Sequence, residues 1–450
     1  MSAFNKWDPF FLFCGDIILF FVSLWMTLAL RYQAFPDTAL FMLHVVPFSI
    51  LFVVWILVLF IAGLYERRTI ISKNKLPGTI FKTQLINSSI AVLFFYFIPT
   101  FGITPKTILF VYLIVSFILM VLWRIYGQAL LTTTSKQRAI LIGRGPEMRE
   151  LFNEVNANTR YNMHFVASVD FDAVQKIDFE EEIIKRIKNN NVSVIVVDDT
   201  NQKVEPLLSQ LYNLIFSGMV FNSMHKMYED IFNRIPLSII KYEWFLENVS
   251  LTPKKAYDLL KRIMDVGLAL PLGILSLFLF PFVYIFIKIE DGGPLFITQE
   301  RIGKNGSLVK IYKFRTMNSN DNGKYIEGRS QNNVTKIGEF LRKTRIDELP
   351  QLWNVVRGDV SLIGPRPELP SLVKLYENQI PYYGIRHLIK PGLSGWAQIY
   401  HDNHPHHGEA VEQTKEKLSY DLYYIKNRSF ILDIKIALKT INIFIKRKGI

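Results

Sequence analysis

Cysteine is nearly absent. The 450 residues hold one, Cys14, inside an apolar run, which excludes a disulfide framework and any Cys-based zinc or iron–sulfur site. Charge is also scarce, at 20% of residues against 50% hydrophobic and 14% aromatic. With a mean hydropathy of +0.19, the composition lies on the membrane side of globular proteins and a purely soluble enzyme is not expected. No A-x-A-like site follows the first hydrophobic run, so a cleavable signal peptide is not expected. The charge that is present is unevenly placed. Residues 1–250 hold 22 Lys and Arg against 20 Asp and Glu, residues 251–450 hold 30 against 19, and the net charge is +13. A basic module joined to membrane spans typically meets anionic headgroups or phosphorylated substrates.

Four apolar runs, roughly Phe10 to Leu30, Phe41 to Leu64, Ile80 to Ile98 and Thr107 to Trp123, each approach the ~20 residues that cross a bilayer core. They predict a bundle of four transmembrane helices over 1–135. Arg67, Arg68, Lys73 and Lys75 lie in one connection and Arg124, Lys136 and Arg138 after the fourth run, whereas the other connections hold Arg31 and Lys106. By the positive-inside rule both ends of the bundle face the cytoplasm.

Residues 136–250 read as a cytoplasmic Rossmann-like α/β domain. Buried strand patterns at Ala139–Gly143, up to Asp170 and up to Asp199 alternate with helical stretches. The first turn carries Gly143 and Gly145, but Met148 replaces the third glycine of a dinucleotide fingerprint, which favours a structural or regulatory module over a nucleotide site.

A fifth run, Val266 to Ile287, has basic residues on both flanks and contains Pro271 and Pro281. It predicts, within 251–290, a juxtamembrane helix and a re-entrant hairpin broken at Pro271, since a fifth full crossing would put the basic remainder outside. Residues 291–450 form a mixed, mainly α module. Its last stretch, from Ile431, suits a helix on the membrane surface or one packed on the core.

The densest chemistry lies between Lys343 and Pro370. Asp347 and Glu348 are adjacent, with Arg342, Lys343 and Arg345 beside them and Arg357 and Arg366 downstream. Such a mixture suits phosphate chemistry: one carboxylate attacks phosphorus, its neighbour holds a divalent metal, and guanidinium groups grip the oxygens. Oxygen ligands and a diphosphate point to Mg²⁺, with Mn²⁺ as the alternative. Pro350 suits the first turn of a helix. A solvated acidic pair capping a helix near arginines is the plainer reading of the same residues.

Three segments together carry more: PLFITQERIGKNGSLVKIYKFRTM from Pro294, the Lys343–Pro370 run, and KPGLSGWAQ from Lys390, with DLYYIKN following at Asp421. Over about residues 255 to 445 they resemble the bacterial sugar transferase family, the monotopic phosphoglycosyl transferases, and the four spans and α/β insert resemble its large multidomain branch of undecaprenyl-phosphate glucose or galactose phosphotransferases. The resemblance implies transfer of a sugar 1-phosphate from a UDP-sugar to undecaprenyl phosphate at the cytoplasmic face of the bacterial inner membrane. It makes Asp347 the nucleophile and Glu348 the Mg²⁺ ligand. Lys313, Arg342 and Arg366 fall at its basic positions near the phosphates, Pro365 and Pro367 frame the loop presenting Arg366, and Arg315, Arg345 and Gln398 complete the candidate substrate-binding set. The hairpin around Pro271 matches the family's membrane anchor, and a homodimer through the spans or the middle domain is expected.

Other patterns compete with these. The histidine tract from His401 to His407 reads as a solvated or substrate-edge loop ahead of a zinc site. Trp396 reads as packing ahead of a sugar platform. Tyr257 and Lys261 have the Y-x-x-x-K spacing of a nucleotide-sugar dehydratase or epimerase, but no complete glycine fingerprint precedes them. A non-catalytic membrane scaffold is opposed by the intact Asp347, Glu348 and Arg366. Nucleic acid is excluded as a partner, since the basic residues flank apolar anchors and no recognition motif occurs.

Overall fold

The computed structural model describes residues 8–65, 76–98, 106–127, 136–158, 161–170, 183–200, 204, 208–249, 254–290, 292–317, 325–326, 329–330, 334–400 and 411–446. Arg67, Arg68, Lys73, Lys75 and the tract His401 to His407 lie outside them. The chain forms two compact units, Met1–Val197 with Lys203–Met227, and Asp198–Gln202 with Tyr228–Ile450.

The first unit begins with helices α1 (Asp8–Tyr32), α2 (Thr38–Ile61), α3 (Leu76–Phe97) and α4 (Lys106–Leu122). All four, α4 taken on to Gly127, are long and apolar enough to cross a membrane. Asp37 starts α2 by accepting a 2.8 Å hydrogen bond from the Leu40 N–H. Inside the bundle Phe20, Phe48, Phe52, Trp55 and Tyr112 pack ring against ring. Ile18, Val22, Val46, Ile50, Val53 and Phe110 point outward and exposed, as a lipid-facing surface requires. After α4 the helix widens into a π turn, Trp123–Gly127. It carries Arg124, which is buried in an ion pair with Asp16 and donates to the Leu64 carbonyl at 2.8 Å.

The rest of this unit is built on a four-stranded parallel sheet, β1 (Gln137–Gly143), β2 (Met163–Asp170), β3 (Val194–Val197) and β4 (Val220–Ser223), in the order β2-β1-β3-β4. The two central strands, β1 and β3, carry the buried Val, Ile and Leu runs that parallel pairing demands. β1 turns at Gly145 (φ +80°) into α5 (Gly145–Ala157). Met148, which stands where a dinucleotide fingerprint has its third glycine, is buried with Leu151 and Val155 along the inner face of α5.

In the second unit α6 (Lys255–Ser276) and α7 (Phe280–Glu290) are bent by 53° about a short break. Pro271 is not that break. It lies inside continuous helix, and the turn comes at Leu277–Leu279, where hydrogen bonds run three residues back. The proline's missing N–H costs one bond within α6, four residues after Gly267, whose side has open space. Pro281 sits in the first turn of α7, where no intrahelical partner is lost.

The chain continues as a hairpin of β5 (Phe296–Ile302) and β6 (Leu308–Phe314), then α8 (Lys336–Thr344), a 3₁₀ turn Ile346–Glu348, and α9 (Gln351–Arg357). Strands β7 (Ser361–Ile363) and β8 (Gly392–Ser394) pair in parallel. They approach so closely that a side chain at Gly392 would run into the Gly364 backbone. Helices α10 (Trp396–Tyr400), α11 (Val411–Asn427) and α12 (Phe430–Lys446) close the core. α12 packs on it through Ile436 and Asp433 while Ile431 stays exposed.

Candidate active site

The acidic pair sits on a sharp reversal. α8 ends at Arg345, whose backbone is left-handed (φ 58°, ψ 15°), and the chain passes directly into the 3₁₀ turn that holds Asp347 and Glu348. A non-glycine residue in this region is uncommon and carries backbone strain of about 1–3 kcal/mol. Pro350 stands at the N-cap position immediately before α9, one residue ahead of the first turn that its place in the sequence suggests.

The two neighbours differ in environment. Asp347 is buried, and its Oδ1 has no hydrogen-bond partner. Burial, then the charge of Glu348, lift its carboxyl to about 6, against the pull of Lys313, Arg345 and Arg342. Glu348 is buried too, but that effect is outweighed by Arg366, Lys313 and Arg345, which hold it down at about 2. Its Oε1 accepts from Arg366 Nη2 at 2.9 Å and lies 3.7 Å from Arg345 Nη1 and 3.8 Å from Lys313 Nζ. Burial lowers Lys313 to about 8, with Glu348 opposing and Arg366 and Arg301 adding to the fall. Adjacent carboxylates with their affinities for protons driven apart are suited to different roles.

Lys313 reaches the pair because β6 is fixed to α9. The fully buried Asn354 accepts from the Tyr312 N–H at 3.1 Å and donates to the Lys310 carbonyl at 2.8 Å and to Asp359 at 3.0 Å. Arg342 donates from Nε to Thr316 Oγ1 at 3.0 Å. Arg366 comes from the loop after β7, where the Pro365 carbonyl accepts from Gly392 N and the Pro367 carbonyl from Arg301.

Lys313, Arg345 and Arg366 therefore converge on Glu348. Arg315 lies elsewhere on its segment, buried with its guanidinium against Gly293. Gln398 sits on α10 with Nε2 3.4 Å from the Leu393 carbonyl and a buried, unpartnered Oε1. Trp396 is packed, 1% exposed, donating to the Asn233 carbonyl and stacked on Tyr423. Tyr257 and Lys261 both bind Asp433, at 3.0 Å each.

Sequence reasoning missed Glu368, Arg386 and Lys417, which with Asp421 form a buried charge cluster behind the Arg366 loop. The available signal was Arg386 itself, a charge in the otherwise apolar and aromatic stretch YYGIRHLI.

Among the described residues no group of three or more His, Cys, Asp or Glu side chains converges as a metal cage. Two carboxylates, one with an orphaned buried oxygen, are nevertheless the donor set that suits Mg²⁺, which is commonly held by one or two carboxylates together with substrate phosphates.

The region that holds these residues is similar to known proteins. A profile described as bacterial sugar transferase matches residues 256–447. The UDP-N-acetylgalactosamine-undecaprenyl-phosphate N-acetylgalactosaminephosphotransferase of Aeromonas hydrophila is 42% identical over 194 residues, 43% of this chain and 45% of that protein. The UDP-glucose:undecaprenyl-phosphate glucose-1-phosphate transferase of Escherichia coli K12 is 33% identical over 268 residues, 58% and 55% of the two chains. The protein of the same name from Caulobacter vibrioides is 39% identical over 196 residues, 42% of this chain and 71% of the relative. The match spans about half the length of the first two relatives. The matched region contains the acidic pair, its cations and the Arg366 loop, and on that ground the chain belongs to the bacterial sugar transferase family.

Proposed function

We propose that this protein transfers a sugar 1-phosphate from a UDP-sugar to undecaprenyl phosphate, giving undecaprenyl-diphospho-sugar and UMP. The observation that carries the reading is the split pair: Asp347, raised to about 6 and unpartnered at Oδ1, beside Glu348, held down at about 2 under three cations. In the first step an Asp347 oxygen attacks the phosphorus that bears the sugar, the bond to the UMP oxygen breaks, and UMP leaves. In the second an oxygen of undecaprenyl phosphate attacks the same phosphorus, the bond to Asp347 breaks, and the free carboxylate returns. Lys313, Arg345 and Arg366 hold the anionic oxygens through both displacements. Glu348, with Asp347 adjacent, would hold Mg²⁺, which would supply charge neutralisation on the diphosphate.

The setting follows from the same reading. The four apolar helices span the bacterial inner membrane, and α6 with α7 forms a re-entrant hairpin bent at Leu277–Leu279, so that the active module lies at the cytoplasmic face. There a water-soluble nucleotide sugar and a lipid phosphate meet at one depth. The parallel sheet of the first unit supports a Rossmann-like module, and the family resemblance makes a homodimer through the spans or the middle domain the expected assembly. The reaction begins assembly of an exopolysaccharide, capsule or O-antigen. The relatives' names include both glucose and N-acetylgalactosamine, so the sugar is for experiment to choose.

The test incubates nanodisc-held protein and Mg²⁺ with a panel of UDP-sugars, with and without undecaprenyl phosphate. UMP release with one donor, and a matching mass increase on the protein, is the expected result. No UMP with any donor, together with no thermal shift from any of the nucleotides, overturns the reading.

A further inference from the structure

The loop that presents Arg366 is held by its carbonyl oxygens. Four in succession each accept from a donor elsewhere in the unit: Pro365 from Gly392 N at 2.9 Å, Arg366 from Arg386 Nη2 at 3.0 Å, Pro367 from Arg301 Nη1 at 3.5 Å, and Glu368 from Ile302 N at 3.0 Å. The two prolines have no N–H to offer, so the loop's conformation is set largely by what grips these oxygens. Of the four donors, two are backbone groups fixed by β8 and β5. The grip on Arg366 itself comes from a side chain.

That side chain is closely constrained. Arg386 is 2% exposed. Its Nη1 donates to the Tyr383 hydroxyl at 2.6 Å and lies 3.4 Å from Glu368 Oε1, while Nη2 is ion-paired with Asp421 Oδ2 at 2.8 Å. Lys417 contacts the same Glu368 oxygen. Two cations and two anions are thus buried together. Such clusters are poor sources of stability, because an apolar replacement of equal volume is often as stable. An apolar replacement has no N–H for the Arg366 carbonyl. The cluster's distinctive property is a fixed direction for one guanidinium.

We propose that Arg386 is a positioning residue, whose guanidinium, braced by Asp421, Glu368 and Tyr383, fixes the backbone of Arg366 and so sets that residue's reach to Glu348. The proposal rests on the transferase reading above, since it gives Arg366 its task. Lysine at 386 keeps the charge but has no planar fork to hold Tyr383 and Glu368 through one nitrogen while the other meets Asp421 and the Arg366 carbonyl.

The experiment is a double-mutant cycle in nanodiscs, following UMP release from the active UDP-sugar with radiolabelled donor and undecaprenyl phosphate, with folded protein quantified by gel filtration. The wild type comes first: if it releases no UMP, the transferase reading fails independently of this proposal. Arg386→Lys is expected to lower kcat/KM at least about tenfold per folded molecule, and to lower it little further in an Arg366→Gln background, because the residue it positions is already gone. Tyr383→Phe removes one brace and no charge. It is expected to cost a few-fold, again only when Arg366 is present, and it decides the matter should Arg386→Lys not fold. If either variant's loss multiplies with that of Arg366→Gln, or if the folded variants turn over at the wild-type rate, Arg386 does not act through Arg366 and the proposal falls.

Discussion

Arg366 Nη2 meets Glu348 Oε1 at 2.9 Å, joining the loop after β7 to the 3₁₀ turn after α8. The bond is charge-assisted and partly buried, which makes it worth more than a surface pair. Arg366→Lys keeps the charge without the fork. Its kcat/KM for the UDP-sugar is expected to fall on the order of 10–100-fold, or about 1.4–2.7 kcal/mol of transition-state stabilisation. Steady-state UMP release measures it, and a change below twofold would remove Arg366 from the reaction.

Asp347→Asn is expected to abolish the covalent sugar-phosphate mass increase and to cut turnover by at least about 10³-fold. It should also stabilise the protein. The native carboxyl titrates at about 6 against an unperturbed 3.8, so the native state takes up a proton more readily than the unfolded chain. Wild-type stability therefore rises as pH falls from about 6 to 3.8, and above 6 ionised Asp347 costs about 3 kcal/mol as an upper figure. Thermal melting should show Asp347→Asn ahead of wild type at pH 7.5 and the gap closing by pH 4. A constant gap would mean that Asp347 is not the titrating group.

Metal removal offers a separate check. Chelation is expected to stop UMP release, and added Mg²⁺ to raise the melting temperature of wild type more than that of Glu348→Gln. Equal shifts in the two proteins would place the cation away from Glu348.

Arg345 combines a left-handed backbone with a charge 3.7 Å from Glu348. Arg345→Gly relieves the first and removes the second, so a gain of up to about 1 kcal/mol in stability should accompany a loss of activity. A variant that is both less stable and fully active would contradict both halves of the argument.

In the bundle, Asp16→Asn leaves Arg124 buried with a neutral partner. Removing one member of such a pair costs about 3–5 kcal/mol, whereas replacing both with apolar side chains of similar volume is often neutral. Lower detergent-extracted yield is expected for the single variant and recovery for Asp16→Leu with Arg124→Met. No recovery would indicate that the charges themselves are needed.

Much of this was legible in the residues, and the reason differs by region. The four spans were readable because lipid demands about twenty apolar residues in a row. The family was readable because adjacent Asp347 and Glu348 stand among arginines in long motifs. Pro271 misled because a proline predicts the loss of one helical bond, and not whether the surrounding packing tolerates that loss. Ala269, within the same turn of α6, is fully buried against Leu352 and Val355 of α9. That anchoring keeps α6 helical beyond the proline. The charge cluster at Arg386 was hidden for another reason: Arg386, Glu368 and Asp421 are far apart in sequence, and only folding brings their charges together.

Asn354 acts as a spacer of fixed length. One buried amide spans from α9 to two backbone groups of β6, so the distance from Lys313 to the carboxylates is set by bonded atoms. On the proposed reading one substrate comes from water and the next from a lipid layer. The strut ties the strand that carries Lys313 to the helix that follows the Asp347 turn. The ammonium and the carboxylate therefore keep one separation for both steps of that reading.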